Sequence, residues 1–454
     1  PHNGIIGAIG MALIAQEVTQ SRAGIHSVQD HGSVVGKLSR ALPASTFRGF
    51  DLNQRSFETR DFVCKACSNY CDMKEVTVEG RKTYWGDKCS DKFRKRARTE
   101  RKPVIEDLMA FRDRLLREDY VEPGRNGSGG KPRVGIPQAM FYYDRFPFWR
   151  CYLEESGFQV EVSGPTNSQI AARGVELSTA EPCFPVQIAH GHVHALLEER
   201  ADHSPVDYVF LPNVMDMEAP ASPIASSLCP WNQTLPFVVR SAPEFEGRAS
   251  LFLAPTIYFR LGRAHVKKQL GEYFGRIGVQ QKQSDRAVEA AYAAQAEFTA
   301  KILAEGHKAC AALEQTGEPA VLLVGRAYNI YDRGSNCDVP RKLRDLYGVN
   351  VLPLDFLPLD DEPVDNLHPN MFWNSGRRIL SAGRFARQTP NVHIIYITNF
   401  KCGPDSFVKF FLREVAKEPF LVLQFDGHGN DAGYLTRCEA YLDSKGLLRC
   451  SSVA

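Results

Sequence analysis

"HIIYITNFKCGPDS", residues 393–406, sets an apolar run directly before a cysteine and a Gly-Pro pair. A short β-branched and aromatic run bounded by turn residues reads as a strand. With so few polar interruptions, it reads as one covered on both faces. Pro404 stops the strand from continuing, and Gly403 permits close backbone approach. The rhythm recurs on either side in "AVLLVGRAY" (320–328), "VNVLPLD" (349–355) and "FLVLQFD" (420–426). It also fills an earlier block: "RVGIP" (133–137), "FQVEVSG" (158–164), "DYVFLPN" (207–213), "FVVRSA" (237–242) and "LFLAP" (251–255). Strands that alternate with helical periods predict parallel sheets with helices on both faces. The expected fold is therefore α/β, with two doubly wound, Rossmann-like parallel-sheet domains. They span 131–262 and 263–454, the second opening with long helices over about 263–315.

The chain ahead of these blocks is organised differently. Residues 1–20 read as a small-residue helix, 21–54 as a linker, and 55–100 as a four-cysteine knuckle with a basic tail. Residues 101–130 carry a charged helix running into the breaker "EPGRNGSGGKP" (122–132).

The chain has 454 residues, 43% of them hydrophobic, which is ample for more than one core. A formal charge of +2 gives no global attraction to nucleic acid or an anionic membrane. The local exception runs from Lys88 to Lys102, where eight Lys/Arg and two acids leave +6 over fifteen residues. Aromatics are nearly absent from that stretch, so a solvated or partner-docking face is expected rather than a nucleic-acid module. No apolar run is long enough for a membrane span. Twelve cysteines in a chain of this length lack the density of a secreted disulfide scaffold, so a cytoplasmic, reducing compartment is expected.

Three cysteines share a setting. Cys183, Cys229 and Cys402 each have a proline within two residues downstream. Cys402 lies beyond a strand's carboxyl end, where open parallel sheets hold their ligands. Cys183 precedes "FPVQIAHGHVHALL", whose helical period places the sulfur near a helix N-terminus, a position that favours thiolate. Three unrelated buried cysteines, a convergent iron–sulfur site and a redox disulfide or nucleophile all remain open readings of these residues.

The segments "RVGIPQAMFYYDRFPFWRCYLEESGFQVEVSG", "EPCFPVQIAHGHVHALL", "VDYVFLPNV", "CPWNQ", "NVHIIYITNFKCGPDSF" and "DAGYLTRCEAYLDS" together resemble the 2-hydroxyacyl-CoA dehydratase and benzoyl-CoA reductase superfamily. More narrowly, they are similar to the dehydratase-related region of acyl-CoA dehydratase activase fusion proteins, relatives of the double-cubane-cluster proteins. The resemblance runs from about residue 131 to 445. It implies an iron–sulfur reductase component that takes low-potential electrons from an ATP-driven activator and passes them to a CoA thioester or another small substrate. It further implies that Cys183, Cys229 and Cys402 hold a 4Fe-4S cluster, and that the protein forms a homodimer. A double cubane is the alternative and would need further thiolates from Cys337, Cys151 or Cys438. By the same resemblance, "PHNGIIGAIGMALIAQE" is similar to the closing helix of the activator ATPase, and no phosphate-cradling loop accompanies it. A non-catalytic scaffold of the activator system is the rival reading, and a zinc-containing nucleic-acid binder the third.

Cys64, Cys67, Cys71 and Cys89 form a separate group. A two-residue knuckle, a third thiol four residues on and a fourth beyond a hairpin-like stretch suit tetrahedral zinc or a second iron–sulfur cluster. Unmetallated thiols are the remaining option. Two other groups are candidates for acid–base work: Glu181, just ahead of Cys183, and His190 in "AHGHVHALL". Their bland alternatives are a surface carboxylate and a packed helical histidine. Asp405 is expected to cap the turn or helix after Cys402.

Overall fold

The computed structural model describes residues 56–65, 71–78, 80–86, 101–120, 130–199, 204–219, 224–359, 364 and 368–448. The expected helix at 1–20, the linker at 21–54, the basic tail, Cys67 and Cys89 lie outside them. Chain contacts separate two units, 1–60 with 75–83 and 61–74 with 84–454. The second unit holds both large sheets.

Near the start, β1 (Phe57–Val63), β2 (Asp72–Val78) and β3 (Arg81–Trp85) form a three-stranded sheet in that order. Gly80, at φ 78°, makes the turn between the last two strands. Helix α1 (Leu108–Tyr120) follows.

The first large sheet uses β4 (Arg133–Ile136), β5 (Gln159–Val162), β6 (Tyr208–Phe210) and β8 (Phe252–Leu253), all parallel, in the order β5-β4-β6-β8. Its connections carry α2 (Phe141–Glu155), α3 (Ser168–Leu177), α4 (Phe184–Leu197) and α5 (Pro230–Arg240). A short parallel pair, β7 (Asn213–Asp216) with β9 (Thr256–Tyr258), stands beside that sequence of elements. Then come α6 (Arg263–Gly275) and the 36-residue α7 (Gln281–Thr316), closed by Gly317 in the left-handed conformation at φ 67°.

The second sheet is built from β10 (Ala320–Gly325), β11 (Asn350–Pro353), β12 (Val392–Asn399) and β13 (Leu421–Phe425), again parallel, in the order β11-β10-β12-β13. All six residues of β10 are buried, which is why its sequence is continuously apolar rather than alternating. The covering helices are α8 (Ala327–Tyr331), α9 (Val339–Tyr347), α10 (Asn374–Gln388), α11 (Gly403–Ala416) and α12 (Asp431–Ser444). Both sheets thus have one topology, in which the second strand lies on one side of the first and the later two on the other. That is the doubly wound arrangement, and its switch point falls between β10 and β12 in the second sheet.

One expected strand is corrected. "FVVRSA" closes α5 instead of forming a strand. The buried residues of α5 are Asn232, Leu235, Pro236 and Val239, a helical spacing, while Phe237 within the apolar run is 59% exposed. Pro230 at the first helical position starts the helix early enough to absorb the run.

Candidate functional site

Cys183, Cys229 and Cys402 each occupy the residue that caps a helix N-terminus, of α4, α5 and α11 respectively. The first two have nearly identical extended backbones, with φ/ψ −61°/153° and −65°/154°, and Cys402 follows at −81°/102°. Their carbonyls accept the first helical hydrogen bonds, from Val186, Asn232 and Ser406 at 3.0, 3.0 and 3.1 Å. The downstream prolines occupy first-turn positions whose N–H would have no helical acceptor, so they cost the helix nothing and fix its entry. All three side chains are buried, at 5%, 4% and 9% exposure. Three helices thus aim the positive ends of their dipoles at buried sulfurs.

Contacts between the supporting segments bring these ends together. Arg326 directly follows β10 and donates from Nε to Asp405 Oδ1 at 3.1 Å, in the first turn of the helix that Cys402 caps. Thr398, near the end of β12, donates to the other Asp405 oxygen. Lys401, in left-handed backbone at φ 66°, pairs with Glu181, which links the Cys402 loop to the residues before Cys183. The Cys229 loop is tied to α10 by Ser227 N–H to the Phe372 carbonyl at 2.9 Å, Asn374 N–H to the Ser227 carbonyl at 3.0 Å, and Arg377 Nη1 to the Ala225 carbonyl at 2.6 Å. Gly325 lets β10 end where it does: at φ 155°, an added Cβ would stand 2.4 Å from the Ile397 carbonyl oxygen.

The three thiols feel one another. Burial pushes Cys183 far above the ordinary thiol range, with further upward pressure from Cys229 and Cys402, while the Val186 N–H and Arg326 act the other way. Cys402 is pushed up to about 12, by burial first and then by Asp405, with Cys229 again contributing. Burial also raises Tyr328 well above its ordinary value, and the three cysteines add to the shift. Buried thiolates that raise one another's proton affinity ionise together only when a cation joins them. Among the described residues, no group of three or more His, Cys, Asp or Glu side chains could hold a single metal ion. A cluster places a different requirement on its ligands, because each thiolate binds its own iron and the sulfurs stand farther apart than around one ion. Three soft donors on three helix N-termini, beside a buried guanidinium, fit such a group.

The other sequence candidates have different surroundings. Glu181 is exposed, and its Lys401 partner holds the carboxyl below its ordinary value. His190 is buried in α4, where its Nδ1 donates to the Val186 carbonyl at 2.8 Å, and burial lowers its proton affinity. The neighbouring histidines diverge: His192 bonds Ser163 and Thr166, and His194 bonds Glu244. Asp405 is a buried ion-pair partner instead of the cap, since Cys402 holds the capping position. A Cβ on Gly403 would meet no protein atom within 4 Å, so no protein backbone makes the close approach expected there. Cys151 lies on α2 beside Glu155 and Glu154, Cys337 Sγ is 3.9 Å from the Gly429 carbonyl, and Cys438 is buried in α12. Of the four-cysteine group, Cys64 and Cys71 are buried and adjacent, with Cys64 N–H donating to the Cys71 carbonyl at 2.8 Å.

Sequence reasoning missed Arg326 and Tyr328. The signal was present: an arginine immediately after six buried apolar strand residues has either a partner or a task.

Residues 133–357 match the family described as "CoA enzyme activase uncharacterised domain". The match likens this part of the chain to a CoA enzyme activase domain. No curated protein matches the chain. No helix among the described residues is long and apolar enough to cross a membrane.

Proposed function

We propose that this protein is an iron–sulfur reductase component of an activase-type system, taking low-potential electrons from an ATP-driven activator and passing them to a CoA thioester or another small substrate. The observation that supports the reading is that Cys183, Cys229 and Cys402 each cap a helix N-terminus and lie within electrostatic reach of one another, Cys402 standing beyond the end of β12 at the switch point of the second sheet. These three thiolates would hold a 4Fe-4S cluster, and three protein ligands leave one coordination place for substrate or water. When bound, such a group supplies one-electron transfer at a potential set by its charge, hydrogen bonding and burial.

The chain's own residues have separable tasks. The helix N-termini stabilise thiolate at the three sulfurs. Apolar packing around Cys183 and Cys229, both part of the main core, excludes water. Arg326 and Asp405 hold the β10 and β12 ends together. Cys64, Cys67, Cys71 and Cys89 would form a separate site for zinc or a second cluster, ordering the segment that precedes the main body.

The test is anaerobic isolation, reconstitution with iron and sulfide, and metal analysis. The expected result is iron and acid-labile sulfide in equal amounts with charge-transfer absorbance. In Cys402→Ser that absorbance is lost, while any zinc at the four-cysteine site stays. Zinc alone in the wild-type protein, without iron or colour, overturns the reductase reading and leaves the scaffold.

A further inference from the structure

Arg326 has an unusual set of partners for a fully buried cation. Its side chain is 3% exposed. Nε donates to Asp405 Oδ1 at 3.1 Å and Nη1 reaches Ser375 Oγ at 3.4 Å, whereas Nη2 has no hydrogen-bond partner among the described residues. An unmade hydrogen bond on a buried charged donor is costly, so native structures rarely leave one without a purpose. The guanidinium lies within electrostatic reach of Cys183, Cys229 and Cys402. Its counter-charge, Asp405, sits on the helix that Cys402 caps and is only 1% exposed. A positive and a negative charge are thus fixed beside the same three sulfurs, and the positive one keeps a free donor.

We propose that Arg326 is a positioning residue whose free Nη2 donates to the electron-rich group gathered by the three thiolates, and that the Arg326–Asp405 pair sets that group's reduction potential. This rests on the iron–sulfur reading above. A fixed positive charge favours the more negative, reduced state and raises the potential, while a fixed negative charge lowers it. The two members of the pair therefore act with opposite signs. Removing either one exposes the sign of the other, because neither is screened by solvent.

The experiment uses the full chain, reconstituted anaerobically, with iron and sulfide content and thermal melting measured first. Redox titration followed by electron paramagnetic resonance then compares the wild type with Arg326→Gln, Arg326→Lys and Asp405→Asn. Arg326→Gln is expected to retain iron and to disfavour reduction by about tenfold or more, which for a one-electron couple is about 59 mV more negative. Asp405→Asn keeps the shape and the Thr398 contact, and is expected to shift the potential in the positive direction. Arg326→Lys restores part of the loss through charge without the planar donor edge. If Arg326→Gln does not fold, the sign of the Asp405→Asn shift decides. Where the wild type loads iron, Gln and Asn variants whose potentials equal the wild type's, or shift in the same direction, overturn the inference alone. A wild type that binds no iron removes both the inference and the reading beneath it.

Discussion

His192 uses both ring nitrogens inside the protein: Nδ1 meets Ser163 Oγ at 2.8 Å and Nε2 meets Thr166 Oγ1 at 2.9 Å. With Asp332 ionised, Thr166 gives its single hydroxyl proton to Asp332 Oδ2 at 2.9 Å, so it accepts from Nε2–H, and Nδ1 is left to accept from Ser163. The ring is therefore neutral with its tautomer fixed. Burial lowers His192 from its ordinary 6.5 to about 3 and raises Asp332 from 3.8 to about 7. The two shifts act on stability in opposite directions across overlapping pH ranges. For His192 the unfolded chain binds more protons, so native stability is lost as pH falls from 6.5 towards 3. For Asp332 the folded chain binds more, so its contribution is present below 3.8 and is lost as pH rises through about 7. Chemical denaturation across this range should show wild type falling relative to His192→Gln on the acid side, by up to about 1.4 kcal/mol per pH unit. Relative to Asp332→Asn, it should fall as pH rises from 4 to 7. Flat difference curves would show that neither group carries these shifts. Residue-scale facts of this kind were not legible beforehand. The three histidines of "AHGHVHALL" have the same chemistry on paper, and only their surroundings separate a buried ring bonded at both nitrogens from an ion-pair partner.

At the level of elements, α4 is where the sequence was read most closely, since its bounds coincide with "FPVQIAHGHVHALL". What the periodicity could not reveal is how α4 is held. It crosses α3 through two glycines: a Cβ on Gly191 would stand 1.9 Å from the Ile170 carbonyl oxygen, and one on Gly174 would stand 2.1 Å from that of Gln187. The backbones touch, and the crossing sets the height at which Cys183 is presented. Gly191→Ala should force the helices apart and destabilise the fold by about 1–3 kcal/mol, measured by urea denaturation. It should also reduce iron uptake. An unchanged midpoint would mean that α3 and α4 have slack in their packing. Helix α5 shows the opposite case. Its valines suggested a strand because a short apolar run is compatible with either state, and the arbiter was Pro230 behind Cys229.

On the scale of the whole molecule, the two parallel sheets share one strand order, and the site draws on segments more than two hundred residues apart in the chain, as Glu181 and Lys401 show with a separation of 220. The Cys229 loop belongs to the first block of strands yet is fastened to α10 of the second, through Ser227, Asn374 and the Arg377 contact with Ala225. Arg377→Met should therefore loosen one sulfur selectively. In the metal-free protein, alkylation of Cys229 should speed up several-fold while Cys183 and Cys402 stay protected, as read by peptide mass spectrometry. Equal acceleration at all three would point to general unfolding.

The sequence by itself determined the class of fold, the strands of the second sheet and the helix that follows Cys183. Those features depend on local patterns: continuous apolar runs, a helical period, and prolines that end or start an element. The tertiary structure alone decided that Cys183, Cys229 and Cys402 lie within electrostatic reach of one another, that Asp405 is an ion-pair partner, and that Arg326 stands near them with an unpaired Nη2. Proximity between distant segments is set by how sheets and helices pack, and neither hydrophobic period nor cysteine spacing carries that information.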